Sequence, residues 1–112
     1  MIRKEIVLPA PREEVWEALT DADRLEEWFA NDVTVDLRPG GGASFGWSNG
    51  ESRTATLVEV DPERRLAFEW DDEGEVSFTL ADDEGGTRLV VTETDPAWTT
   101  ALDLQASAFA CV

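Results

Sequence analysis

The sequence predicts an α+β fold: a strand, two short helices, six further antiparallel strands and a C-terminal helix. Two observations carry that prediction. From Val33 to Thr94, apolar and polar residues alternate in short runs. Turn residues part the runs about every 8–12 positions, as in an antiparallel meander with one face on a core. On either side of this block, over 11–29 and 96–110, the apolar spacing becomes helical. With 112 residues and no repeat or linker, the expectation is one domain spanning 1–112.

The elements follow in order. "IRKEIVL" (2–8) is rich in β-branched residues and reads as the first strand. "PAPREEVWEAL" then opens a helix: Pro11 suits a first turn, and Glu13 and Glu14 suit the positive end of the helix dipole. Val15, Trp16 and Leu19 form its apolar face. Thr20 or Asp21 can cap a second short helix, and Thr20 with Asp23 resembles a capping box. Leu25, Trp28 and Phe29 share one face of that helix.

The strands come next. "VTVDL" (33–37) alternates and ends at the turn "RPGGG". "ASFGW" (43–47) puts Ala43, Phe45 and Trp47 on one side, and the Asn-Gly after it is a strong hairpin signal. "SRTATLVEV" (52–60) follows, with Thr56 in phase with Val58 and Val60. Pro62 sets a turn, and "RLAFEW" (65–70) presents Leu66, Phe68 and Trp70. "EVSFTL" (75–80) presents Val76, Phe78 and Leu80; "TRLVVTET" (87–94) presents Leu89, Val91 and, in phase, Glu93. In the tail, Asp95 and Pro96 suit a helix start, and Trp98, Leu102, Gln105, Phe109 and Val112 form one stripe.

Composition excludes several functions. There are 25 Asp plus Glu against 9 Lys plus Arg, a net charge of −16. Such a surface repels phosphate backbones and anionic membranes, so no nucleic-acid partner and no membrane insertion are expected. No apolar run reaches the roughly 20 residues of a membrane span. The N-terminus has no apolar signal core, so a cytoplasmic location is expected. Histidine is absent and Cys111 is the single cysteine, which removes His-based triads and multi-cysteine metal sites. The acidic runs Asp71-Asp72-Glu73 and Asp82-Asp83-Glu84 lack the spacing of a calcium loop. No metal and no cofactor are expected.

Four segments carry a family resemblance: "APREEVWEALTDADRLEEWF", "DLRPGG", "VEVDPERRLAFEW" and "GTRLVVTET". Together they resemble the SRPBCC, or START-like, helix-grip superfamily, in the branch of homologues of the activator of heat-shock-protein-90 ATPase. The resemblance covers residues 2–94. It implies a curved seven-stranded antiparallel sheet wrapped on a C-terminal helix, with two short helices between strands one and two. It also implies a ligand cavity between sheet and helix. Family members carry a longer last helix than the eighteen residues after Thr94 allow. The pocket is then either less covered or covered by a second subunit, so a homodimer is one expectation. The co-chaperone role does not carry over, since there the module works joined to another domain.

The resemblance and the strand phases together give the candidate ligand-binding residues. They are Trp28, Phe29, Phe45, Trp47, Thr56, Phe68, Trp70, Phe78 and Glu93, with Trp98, Leu102 and Phe109 from the helix. Each aromatic is either a pocket wall or plain core. Glu93 is a candidate acid or base if it points inward, and a solvated residue if the strand has already ended. Arg53 and Arg65 read as outward partners in surface ion pairs. The leading functional expectation is non-enzymatic binding of a small hydrophobic or aromatic molecule. The alternatives are a polyketide cyclase/aromatase-like or hydrolase-like enzyme using a pocket carboxylate, and a stress-related protein-interaction module without ligand.

Overall fold

The computed structural model describes residues 2–71 and 74–94, apart from the side chain of Trp28. The C-terminal helix expected over 96–110, with Trp98, Leu102 and Phe109, lies outside the described residues. The elements run β1 (Ile2–Leu8), α1 (Arg12–Thr20), α2 (Ala22–Trp28), β2 (Asp32–Val35), β3 (Gly42–Gly46), β4 (Ser52–Asp61), β5 (Arg65–Trp70), β6 (Glu75–Asp83) and β7 (Gly86–Glu93). All seven strands form one curved antiparallel sheet in the order β1-β7-β6-β5-β4-β3-β2. Over the described residues this is the α+β architecture expected from the sequence, a seven-stranded antiparallel sheet with two short helices between its first two strands.

The meander from β2 to β7 needs only short turns, because each strand pairs with the next in sequence. The first strand instead closes on the last, with Ile6 opposite Leu89 and Leu8 opposite Thr87. That long-range pairing is what brings α1 and α2 under the sheet. Two side chains tie the entry of α1. Thr87, fully buried, donates its hydroxyl to the Ala10 carbonyl at 2.7 Å. Arg12 donates to Asp82 at 2.8 Å and to the Glu63 carbonyl at 3.2 Å.

The helices fit the spacing that predicted them, with local differences. Val15, Trp16, Ala18 and Leu19 of α1 and Leu25 of α2 are buried in one core with Leu66, Phe68, Phe78, Leu89 and Val91 of the sheet. Pro11 is the residue before α1 rather than its first turn. At α2 the cap is Asp21, whose side chain accepts from the Asp23 N–H at 2.9 Å. Thr20 does not cap: it is buried, and its hydroxyl donates back to the Trp16 carbonyl at 2.7 Å. A carboxylate is the better acceptor for an N-terminal N–H, which leaves the threonine to satisfy the turn behind it.

One strand departs from simple alternation. The register between β4 and β5 shifts between Leu57 and Glu59. Ala55 and Leu57 are buried before the shift and Val60 packs on the core after it, while Val58 is 49 % exposed. A β-bulge adds one residue and so reverses the facing of everything on one side of it. Reading phase backwards from Val60 therefore misplaces Thr56. It does not face inward but lies exposed on the outer surface, where its hydroxyl and that of Thr54 donate to the Asp71 carboxylate at 3.2 and 2.6 Å.

Candidate ligand-binding site

The concave face of the sheet is set by register. Phe45 lies opposite Arg53, Ala55 opposite Trp70, Leu57 opposite Phe68 and Leu66 opposite Phe78. Residues directly opposite in an antiparallel pair share a face. The inner face of β3, β4, β5 and β6 thus gathers Phe45, Phe68, Trp70 and Phe78, all buried. Phe29, which ends α2, joins them from below.

These rings touch as a chain. Phe29 meets Phe45 edge-on at 5.3 Å and Trp47 at 5.5 Å. Phe45 meets Trp70 at 5.7 Å and Phe68 at 6.3 Å; Phe68 continues to Trp70 at 5.4 Å and Phe78 at 6.1 Å. Edge-to-face pairs of this kind contribute about 0.5–1.5 kcal/mol each beyond the area they bury. Trp47 is only half-buried, and its indole N–H donates to the Phe29 carbonyl at 2.8 Å. It thereby fastens the end of α2 to the β3–β4 hairpin.

Space is unevenly distributed around this chain. Where Leu19, Leu25, Val35, Ala43 and Phe45 meet, the free volume is about 10 Å³, so the helix pair fills that part of the sheet. At the β3–β4 hairpin a solvent-open hollow of about 470 Å³ is lined by Trp47, Asn49, Glu51, Ser52 and Arg53. On the outer face, Val58, Arg65, Ala67, Ser77 and Thr92 edge a groove of about 200 Å³.

For the charged groups, one open alternative closes and one reading is corrected. Glu93 is not past the end of its strand: it pairs with Ile2 and Val76 and is fully buried on the inner face. Arg53 does not point outward. It is opposite Phe45, half-buried, with its guanidinium carbon 3.9 Å above the centre of the Trp70 ring. Two features hid this. The phase was carried across the bulge, and the hairpin loop has three residues (48–50), closed by Trp47 N–H to the Glu51 carbonyl. A two-residue Asn-Gly loop would have put Thr54, not Arg53, opposite Phe45. Gly50, with φ of 90°, is the left-handed residue that such a three-residue loop uses. Lys4, opposite Val91, was also missed as a half-buried inner-face residue. Arg65 does lie outward, bound to Glu59 at 2.7 Å and Thr79 at 3.0 Å.

Among the described residues no cluster of three or more acidic, Cys or His side chains is arranged to hold a metal ion. No described helix is long and apolar enough to cross a membrane. The clearest electrostatic perturbation is far from the aromatic chain. Side-chain hydrogen bonds from Arg88 and then Arg3 hold the exposed Glu5 carboxyl below its ordinary value. Glu5 and Asp83 in turn hold Arg88 above its own.

The profile of the family described as Activator of Hsp90 ATPase homolog 1-like protein matches residues 9–108. The chain belongs to that family. No curated protein matches the sequence. Among solved structures, the Aha1 dimer from Colwellia psychrerythraea has a TM-score of 0.81 at 22 % identity, covering 96 % of this chain and 94 % of that one. A Bordetella parapertussis protein, BPP1335, has a TM-score of 0.78 at 26 % identity, with 97 % and 74 % covered. DynU16, a protein of the dynemicin biosynthetic locus, has a TM-score of 0.76 at 28 % identity, with 98 % of this chain and 44 % of that one covered. This Aha1-like family shares the sheet and the helix pair described here.

Proposed function

We propose that this chain binds a small hydrophobic or aromatic molecule against the concave face of its sheet, as a binding module rather than an enzyme. The observation that carries the reading is the half-buried Trp47, which lines an open hollow of about 470 Å³ and stands at the end of the buried rings Phe29, Phe45, Trp70, Phe68 and Phe78. An apolar wall with a few placed polar groups suits such a ligand. Family membership supports it, and so does the likeness to part of DynU16, a protein of the dynemicin biosynthetic locus. Residues 1–112 then act as one unit in the cytoplasm. Trp28, Trp98, Leu102 and Phe109 remain proposed ligand contacts, and a second copy of the chain is the proposed cover for the open side.

Native mass spectrometry of the freshly purified protein tests this. A retained small molecule, released by mild unfolding, is the expected result. Loss of the ligand on Trp47→Ala, in a variant that thermal unfolding shows to be still folded, assigns it to this wall. A protein that retains nothing and whose tryptophan fluorescence ignores a panel of aromatic compounds would refute it, leaving the interaction-module reading.

The burial of Glu93 on the inner face favours a second reading, in which a carboxylate facing the ligand acts as acid or base. Glu93→Gln separates the two: ligand retained with turnover abolished supports the enzyme, and unchanged turnover removes Glu93 from it.

A further inference from the structure

The sheet has two edges, β1 and β2. An open edge offers backbone N–H and C=O groups to another chain, and proteins usually blunt it. The β2 edge is short and blunted: it has 4 residues, and its Val33 N–H donates to the Glu26 carboxylate of α2 at 2.9 Å. The β1 edge is different. It runs for 7 residues, Ile2–Leu8, without proline or glycine, and pairs with β7 without a register shift. No described strand lies beyond it. It is also the one described strand with a net positive charge, Arg3 and Lys4 against Glu5, in a chain of −16. Two copies of so acidic a chain repel each other least along this edge.

The order of its side chains decides what fits there. Ile2, Lys4 and Ile6 lie on the inner face, opposite Glu93, Val91 and Leu89; Arg3 and Glu5 lie on the outer face, opposite Thr92 and Val90. A second β1 laid antiparallel and centred on Lys4 sets each Arg3 opposite a Glu5 and each half-buried Ile2 opposite an Ile6. Centring the pair on Arg3 or on Glu5 instead sets like charges face to face, which is destabilising. Lys4 then meets its own copy on the axis, and it already has an interaction within its own chain.

We infer that the outer edge of β1 is a dimer interface, where β1 of a second copy pairs antiparallel with Arg3 against the partner's Glu5. This rests on the second copy proposed above and gives it a place, beside β1 at the flank of the concave face. Glu5 is already held by Arg3 and Arg88 of its own chain. The partner's Arg3 thus joins a cluster that keeps this carboxylate charged. The ladder spans only residues 2–6, so association is weak and depends on concentration.

Sedimentation velocity of the full chain over a concentration series tests this. The unaltered protein should dimerise. Arg3→Glu and Glu5→Arg each set like charges opposite one another, and each alone should weaken association about tenfold or more. An equimolar mixture of the two variants should regain the dimer, because the acids of one then face the arginines of the other. A dimer that neither variant weakens, or weakened variants that do not recover on mixing, overturns the β1 pairing and leaves the second copy to another surface. A chain that stays monomeric throughout removes the second copy as well, while ligand retention in native mass spectrometry reports on the binding function separately. Thermal unfolding checks each variant. If Glu5→Arg does not fold, hydrogen exchange decides: the β1 amides facing away from β7 should slow with rising concentration in the unaltered protein and not in Arg3→Glu. Equal exchange at all concentrations overturns the inference.

Discussion

Replacing Phe45 tests whether the aromatic chain is packed core or the wall of an empty space. Phe45 is 2 % exposed and, among the described residues, touches the rings of Phe29, Trp47, Phe68 and Trp70. A buried Phe→Ala change costs about 3–5 kcal/mol through lost burial and the cavity left behind. Ring pairing adds about 0.5–1.5 kcal/mol per good pair. These terms overlap, so the expectation for Phe45→Ala is the top of the range, about 4–5 kcal/mol. A domain of this size has only about 5–15 kcal/mol in all. Phe45→Leu keeps most of the volume and loses the ring geometry, for about 1–2 kcal/mol. Urea unfolding followed by tryptophan fluorescence measures both, and Phe45→Leu with Trp70→Leu completes a cycle with a coupling near 1 kcal/mol. A loss under about 1.5 kcal/mol in Phe45→Ala would refute the packing argument, because it would mean that the ring already borders free space.

Two further tests address the closure of the sheet and its charge. A Cβ on Gly86 would lie 1.9 Å from the Leu8 carbonyl oxygen and 3.2 Å from the Pro9 Cα, both backbone atoms. Gly86→Ala should therefore cost at least about 1–3 kcal/mol, read as a lower urea midpoint at constant slope, by forcing β1 and β7 apart. Glu5, held below its ordinary value by Arg88 and Arg3, contributes stability that is present above about pH 4.5 and is lost as the pH falls through the lower folded-state value. Acid titration of Glu5→Gln should show a flatter loss of stability in that window, and 1 M salt should shrink the difference, because the cluster is exposed.

The sequence and the structure agree where the signals are local. Val15, Trp16 and Leu19 were legible because helical spacing needs only a few residues. Leu66, Phe68 and Trp70 were legible because they alternate in a strand without irregularity. The order of helices and strands followed from the turn residues between them, and the helix-grip fold from four short segments taken together. The site was less legible. Thr56 was read inward and is outward; Arg53 was read outward and is inward; Glu93 was left between two faces and is buried. The buried face of Phe45 itself was legible, but not its partner across the hairpin.

By itself, then, the sequence determined the elements from Ile2 to Glu93, their order and most of the apolar core among the described residues, since periodicity and turn chemistry are properties of neighbours along the chain. Only the tertiary structure decided which charged side chains share the concave face with the rings. A single bulge after Leu57 and a hairpin loop of three residues instead of two each displace the phase by one residue. In a strand, where side chains alternate, one residue is the whole difference between solvent and interior.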